Sequence, residues 1–270
     1  MPIKQGNGVK MKIYTVSNQK GGVGKTTTVV SLGGLLARKG YRVLMLDLDP
    51  HGSLTAYFKY DPDEIDDTVY DLFNYEGTPK APYALIRHTD VDKLDFIPAS
   101  TAMATLDRQL GTKSGMGLVI KNALNTLKSR YDYVFLDCTP MLGVLMVNAL
   151  AACEHLLIPV QTEFLALKGL ERMTHTLKMI QKSRSNELKY TILPTMYDQR
   201  TRASVSTVEE LKKNYAENLW DGVIPEDTMF REASKAGVPL TVMKPWEKGS
   251  LAYRKVIEDL GIEADLEEAN

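Results

Sequence analysis

The segment KGGVGKTT at positions 20–27 concentrates more chemistry than any other stretch of this 270-residue chain. Gly21, Gly22 and Gly24 let the backbone curl so that successive N–H groups converge on one point and can hold phosphate oxygens. Lys25 supplies a cation for β- and γ-phosphate charge, and the Thr26 hydroxyl is placed to ligate Mg²⁺. The general pattern GxxxxGK[ST] asks for glycine at position 19, where this chain has Gln19. What stands here is KGGxGK[ST], with an additional lysine, Lys20, at the start of the loop. Lys20 is badly placed to serve a phosphate that Lys25 and the loop amides already wrap.

Three acids belong to the same chemistry. Asp47 and Asp49 lie in LDLDPHG at 46–52. Side chains at i and i+2 of a strand share a face, so both are expected to point toward the phosphate end of the sheet. One would contribute to the metal shell while the other orients the attacking water; a loop-capping pair is the alternative. Asp137 follows the apolar run at 133–136 and heads DCTP. A hydrophobic strand ending in Asp is the Walker B arrangement, whose carboxylate holds a Mg²⁺-bound water.

These residues need a frame of alternating strands and helices. Short β-rich runs fall at 13–16, 42–48, 94–98, 133–136, 155–160, 190–195 and 222–225. Helical periodicity marks 26–38, 101–110, 117–129, 143–152, 167–183, 203–217, 228–236 and 249–260. Gly40 is the stop signal for the first helix. The continuous apolar run within 42–48 is that of a strand covered on both faces. Repeated β-α units predict a doubly wound, mainly parallel α/β sheet, with ligands at the carboxyl ends of its strands. The expected organisation is an N-terminal extension at 1–11, one domain at 12–262 and an acidic tail at 263–270.

Composition narrows the function. Lys and Arg total 33 against 34 Asp and Glu, a net charge of −1, which excludes a strongly basic nucleic-acid binder but not a local patch. Cys138 and Cys153 form neither a CxxC pair nor a zinc spacing, and the expectation is a reducing cytoplasm. The most apolar stretch, 141–153, contains Asn148 and is too short for a bilayer, so it is read as a buried helix. Six acids at 61–71 (Asp61, Asp63, Glu64, Asp66, Asp67 and Asp71) stand without a base. They form either a solvated loop or a receptor for a basic peptide.

KGGVGKTT, LDLDP and FLDCTP together resemble the ParA/MinD (deviant Walker A) ATPases, as do IPVQTEFLALKGLERM, ILPTMYDQRTRAS and GVIPEDTMFREASKAGVP further on. The similarity is to the ParA branch and runs over about residues 12–260. LDLDPHGSLTAYF and GVLMVNALAA further resemble the ParC-like group that positions chemotaxis or flagellar assemblies. The resemblance implies a P-loop fold of about eight strands, ATP and Mg²⁺ as cofactors, an ATP-dependent homodimer and slow hydrolysis. By it, Lys20 is the lysine that reaches the other subunit's nucleotide, and Gly21, Gly22, Val23, Gly24, Lys25 and Thr27 cradle phosphate. Thr26 ligates Mg²⁺, Asp49 orients water and Asp137 is the Walker B acid. It also implies an activating cargo adaptor and non-specific DNA binding, for which Arg200, Arg202, Lys212 and Lys213 are the candidates. The location expected is cytoplasmic, at the nucleoid or a cell pole, without membrane insertion.

Departures from the family pattern are His51, where glutamine is usual, Cys138-Thr139, and Glu226 and Met229 in place of two arginines. Three other readings exist. A MinD-like membrane regulator would need a basic amphipathic C-terminal helix, and the tail here is acidic. A nitrogenase-reductase-like electron carrier would need its two cysteines at a cluster, whereas Cys138 directly follows the Walker B acid Asp137 and Cys153 lies in an apolar helical run. A nucleotide-switched scaffold without turnover is the third.

Overall fold

The computed structural model describes residues 10–73, 78–110, 115–182, 184 and 186–263. Residues 1–9 of the expected extension and 264–270 of the acidic tail lie outside them. Met11, the last residue of that extension, is buried in the core.

In chain order the regular elements are β1 (Lys12–Val16), α1 (Lys25–Arg38), β2 (Val43–Leu48), α2 (Ser53–Tyr57), β3 (Arg87–His88) and β4 (Leu94–Ile97). There follow α3 (Leu106–Leu110), α4 (Val119–Asn125), β5 (Tyr133–Cys138), α5 (Val144–Ala152), β6 (His155–Gln161) and α6 (Phe164–Gln181). The chain closes with β7 (Lys189–Thr195), α7 (Arg202–Tyr215), α8 (Met229–Ala236), α9 (Leu240–Met243) and α10 (Lys248–Asp259). The sheet has seven strands in the order β3-β4-β2-β5-β1-β6-β7. Every pairing is parallel except that of the two-residue edge strand β3.

Strand periodicity sorts the core into two halves. Leu44, Leu46 and Leu48 of β2, with Val134, Leu136 and Cys138 of β5, pack under α5 and α6. Val43 and Met45, with Tyr133 and Phe135, face the opposite layer of α1 and α10. Tyr253 of α10 locks that layer by sharing a hydrogen bond with Thr28 of α1 at 2.9 Å. Asp47 and Asp137 follow the second set by two residues, and the register pairs them directly across β2 and β5. The carboxyl ends of β1, β2 and β5 thus meet at one edge, where an open α/β sheet binds its ligands.

Two expectations are corrected. The strand expected at 222–225 is not a regular strand of the sheet: two isolated bridges stand there, Ile192 of β7 with Leu219 and Tyr197, just beyond β7, with Pro225. Trp220 is buried there, and its ring would collide with a Cβ at Gly222; the segment still runs beside β7, with the Ile224 amide donating to the Pro194 carbonyl at 2.8 Å and the Tyr197 amide to the Ile224 carbonyl at 3.0 Å. The stretch 141–153 is not buried throughout: α5 buries one face, but Val147 on its other face and Met141 and Leu142 before it are exposed. Among the described residues no helix is long and apolar enough to cross a membrane.

Candidate phosphate and hydrolysis site

The loop at 18–24 leaves β1 and enters α1 through left-handed glycines, Gly22 at φ 72° and Gly24 at φ 91°. An L side chain would be strained at both, although open space surrounds each; the requirement is one of backbone conformation. Thr195 at the end of β7 donates to the Val23 carbonyl at 2.9 Å and fixes the loop from below. Lys25 opens α1 and is 8% exposed. The helix start and the loop open onto a cleft of about 550 Å³, lined among others by Gly22, Lys25, Thr26, Asp49, His51 and Pro140.

The two acids of the second strand part company. β2 ends at Leu48, and the turn through Pro50 carries Asp49 into the cleft while Asp47 stays wholly buried. One Asp47 oxygen accepts from the Thr55 amide and hydroxyl, both at 2.8 Å, and the other from the Asp49 amide at 3.2 Å. Asp47 therefore ties the start of α2 to the end of β2, and both of its oxygens accept from protein donors. Burial pushes its carboxyl up to about 6, against the pull of those hydrogen bonds.

Asp137 is the metal candidate that the geometry favours. Thr26 donates to its Oδ2 at 2.6 Å, while its buried Oδ1 has no partner. Burial, and then the neighbouring Asp47, push this carboxyl well above the usual carboxylate range; Thr26 and Lys25 oppose them. A buried carboxylate with one orphaned oxygen, a second acid beside it and a threonine hydroxyl at hand fit a divalent cation. Magnesium at such sites takes few protein ligands and the rest from phosphate and water.

Lys20 turns away from the cleft. Its ammonium pairs with Glu163, the residue that precedes α6. Its amide donates to Asn18 Oδ1 at 3.1 Å, and Asn18 donates in turn to the Pro159 carbonyl at 2.8 Å. Gln19 reaches Thr176 of α6 at 2.8 Å. Gly169 of α6 lets the chains approach closely, since a Cβ there would stand 3.2 Å from Lys20 Cβ. Phe164 and Leu165, next to Glu163 in the chain, are exposed, as are Met141 and Leu142, and Leu142 lines a surface cavity together with Gln19.

The remaining candidates scatter. Arg200 is held by Asp198 through bonds of 2.7 and 2.9 Å, and it draws that carboxyl down to about 2. Lys212 pairs with Asp221 at 3.1 Å. Arg202 and Lys213 are exposed at opposite ends of α7, about 16 Å apart by the rise of a helix. The expected basic patch is thus divided and half neutralised. In the acidic stretch, Lys80 pairs with Asp67 and Asp71, and Arg87 with Asp67, leaving Asp61, Asp63, Glu64 and Asp66 exposed. Cys138 and Cys153 are buried thiols whose pKa values burial raises, Cys153 to about 11, as befits core packing.

A second cavity, about 410 Å³, continues from the P-loop past Thr27 to Met196, Pro225, Phe230, Arg231 and Tyr253. It has the size and mixed lining to take the base and ribose of a nucleotide. Sequence reasoning missed these residues, though the strained backbone of Met196, at φ 54°, belongs to a kind that gathers at binding sites.

Fold and site together define a P-loop nucleotide-binding protein. An AAA-domain family model matches residues 11–190. The sporulation initiation inhibitor Soj of Bacillus subtilis is 36% identical over 250 residues, 92% of this chain and 98% of that protein. The chromosome partitioning protein ParA of Myxococcus xanthus is 33% identical over 244 residues, 90% of this chain and 85% of that one. Cobyrinic acid a,c-diamide synthase from Mycobacterium smegmatis, solved with an ATP analogue and magnesium, superposes with a TM-score of 0.80 at 33% identity, covering 93% and 94% of the two chains. The chain belongs to the ParA/MinD family of deviant Walker A ATPases.

Proposed function

We propose that this protein is a Mg²⁺-dependent ATPase that dimerises on ATP and hydrolyses it slowly to position or segregate a cellular cargo. The observation that carries this reading is a complete phosphate cradle whose extra lysine, Lys20, is turned out of it onto Glu163. The loop amides of 21–24, Lys25 and Thr27 bind the phosphates, and the cavity toward Met196 and Phe230 takes the base. Thr26 and Asp137 would hold Mg²⁺, which when bound neutralises charge on the β- and γ-phosphates. Asp49 accepts a hydrogen bond from water and orients its oxygen toward the γ-phosphorus. Lys20 of the partner subunit stabilises charge on the transferring phosphoryl group, as an arginine supplied in trans does elsewhere. The exposed Met141, Leu142, Phe164 and Leu165 beside Lys20 are the surface such a dimer would cover.

An adaptor on the cargo accelerates hydrolysis, and the dimer is anchored by non-specific DNA contacts in the cytoplasm, over the nucleoid or at a pole. Chemotaxis or flagellar assemblies and plasmid or chromosomal DNA are the cargoes this branch of the family suggests. An ATP-turnover assay tests the enzymatic half. Lys25→Ala should abolish ATP binding, and Asp49→Ala should bind ATP yet accumulate without turnover. Turnover by Asp49→Ala at the unmodified rate would overturn the assignment.

A further inference from the structure

His51 stands at a position where the family usually has glutamine, and the structure gives it a partner. The turn from Asp49 to Gly52 closes with the Gly52 amide on the Asp49 carbonyl at 2.8 Å. Gly52 has φ +63°, and a Cβ there would fall 2.5 Å from Pro62, so the turn is held in one shape. Within it, Asp49 Oδ1 accepts from the His51 amide at 3.1 Å and lies 3.0 Å from His51 Nδ1. An ionised carboxylate only accepts, so in this contact Nδ1 of the imidazole is the donor. Asp49 Oδ2 receives no hydrogen bond from a described residue, and both side chains line the phosphate cleft.

We propose that His51 is a positioning residue for ATP hydrolysis, holding Asp49 Oδ1 through its Nδ1–H so that Oδ2 is the oxygen offered to the attacking water. The inference rests on the reading of Asp49 as the acid that orients this water. Two donors on one oxygen fix the rotation of the carboxylate, which a single flexible donor would leave free. A water placed by a fixed acceptor spends more of its time in line for attack. The imidazole is 82% exposed and has only two side-chain torsions, on a turn whose shape Gly52 sets.

The test uses the full chain with Mg-ATP and compares His51→Leu with His51→Asn, whose amide N–H can stand in for Nδ1–H. His51→Leu should lose about tenfold in kcat with KM unchanged, the scale of one missing orienting hydrogen bond. His51→Asn should return to within about threefold of the original. Nitrogen-15 NMR of the imidazole supplies a readout apart from activity: Nδ1–H in the original protein, shifting to Nε2–H in Asp49→Ala. Unchanged kcat in His51→Leu, an Asn variant as slow as the Leu variant, or an Nε2–H imidazole in the original protein would each overturn the inference. Should Asp49→Ala turn over normally, the reading of Asp49 falls and this inference with it. Inactive Asp49→Ala beside fully active His51→Leu would sink the inference alone.

Discussion

Asp47 and Asp137 face each other on adjacent parallel strands, both shut away from water. Their raised pKa values carry a sign for stability. A folded-state pKa above the unfolded one means that the folded protein holds the proton more tightly. Such a group gives its full contribution below the ordinary carboxylate range and loses it as pH rises, for Asp47 through about 6. Without nucleotide, the protein should therefore melt lower at about pH 7.5 than at about pH 5.5 on account of this pair. Asp137→Asn, lacking one charge, should melt several degrees above the original at the higher pH and close to it at the lower. A melting difference independent of pH would show that the pair is already relieved by other means. Mg²⁺ with nucleotide should narrow the same gap, because a cation beside Asp137 favours the charged form.

At the scale of elements, α6 governs the loop. Asn18, Gln19 and Lys20 are tied to β6 and α6 by Pro159, Thr176 and Glu163, so a shift of α6 moves the lysine that the proposed dimer needs. Removing the carboxylate should free that lysine: Glu163→Gln is expected to dimerise at several-fold lower ATP concentration, measured by light scattering over an ATP titration. A higher requirement would mean that Glu163 acts in the dimer instead. Packing on the other face gives a second expectation. Gly34 of α1 leaves no room, since a Cβ would stand 2.7 Å from Pro239. Gly34→Ala should cost about 1–3 kcal/mol by denaturant titration despite the better helix propensity of alanine. The cradle and most elements were legible because Gly22, Gly24, Lys25 and Asp137 act through local sequence and strand ends. The separation of Asp47 from Asp49 was not, because it depends on β2 stopping at Leu48 and on Thr55 claiming one carboxylate. The partners of Lys20 and the cavity by Met196 were equally hidden, since α6 and the segment near Pro225 reach the P-loop from more than a hundred residues away.

For the molecule as a whole, the two proposed roles, DNA contact and dimerisation, fall on different surfaces. Of the four bases expected to touch DNA, Arg200 and Lys212 already hold carboxylates, while Arg202 and Lys213 pair with none among the described residues. Charge reversal at Arg202 or Lys213 should therefore weaken DNA binding by the Asp49→Ala dimer more than reversal at Arg200. For every phosphate no longer neutralised, the slope of log affinity against log salt should flatten by about 0.9. Equal weakening at all of these sites would argue that the ion pairs open on binding, and no binding at low salt would leave protein contacts as the anchor. In the proposed dimer, the apolar residues near Lys20 would meet a second copy. A ligand shifts an equilibrium only by contacts that differ between its states, and the γ-phosphate is what distinguishes ATP from ADP for that lysine. The most direct measurement is the solution mass by light scattering of the hydrolysis-blocked Asp49→Ala chain with Mg-ATP, with Mg-ADP and without nucleotide, beside the same chain carrying Lys20→Ala. Twice the monomer mass is expected with Mg-ATP alone, and monomer in every condition once Lys20 is removed. The same mass in all three nucleotide states, or an ATP dimer that persists without Lys20, would contradict this expectation.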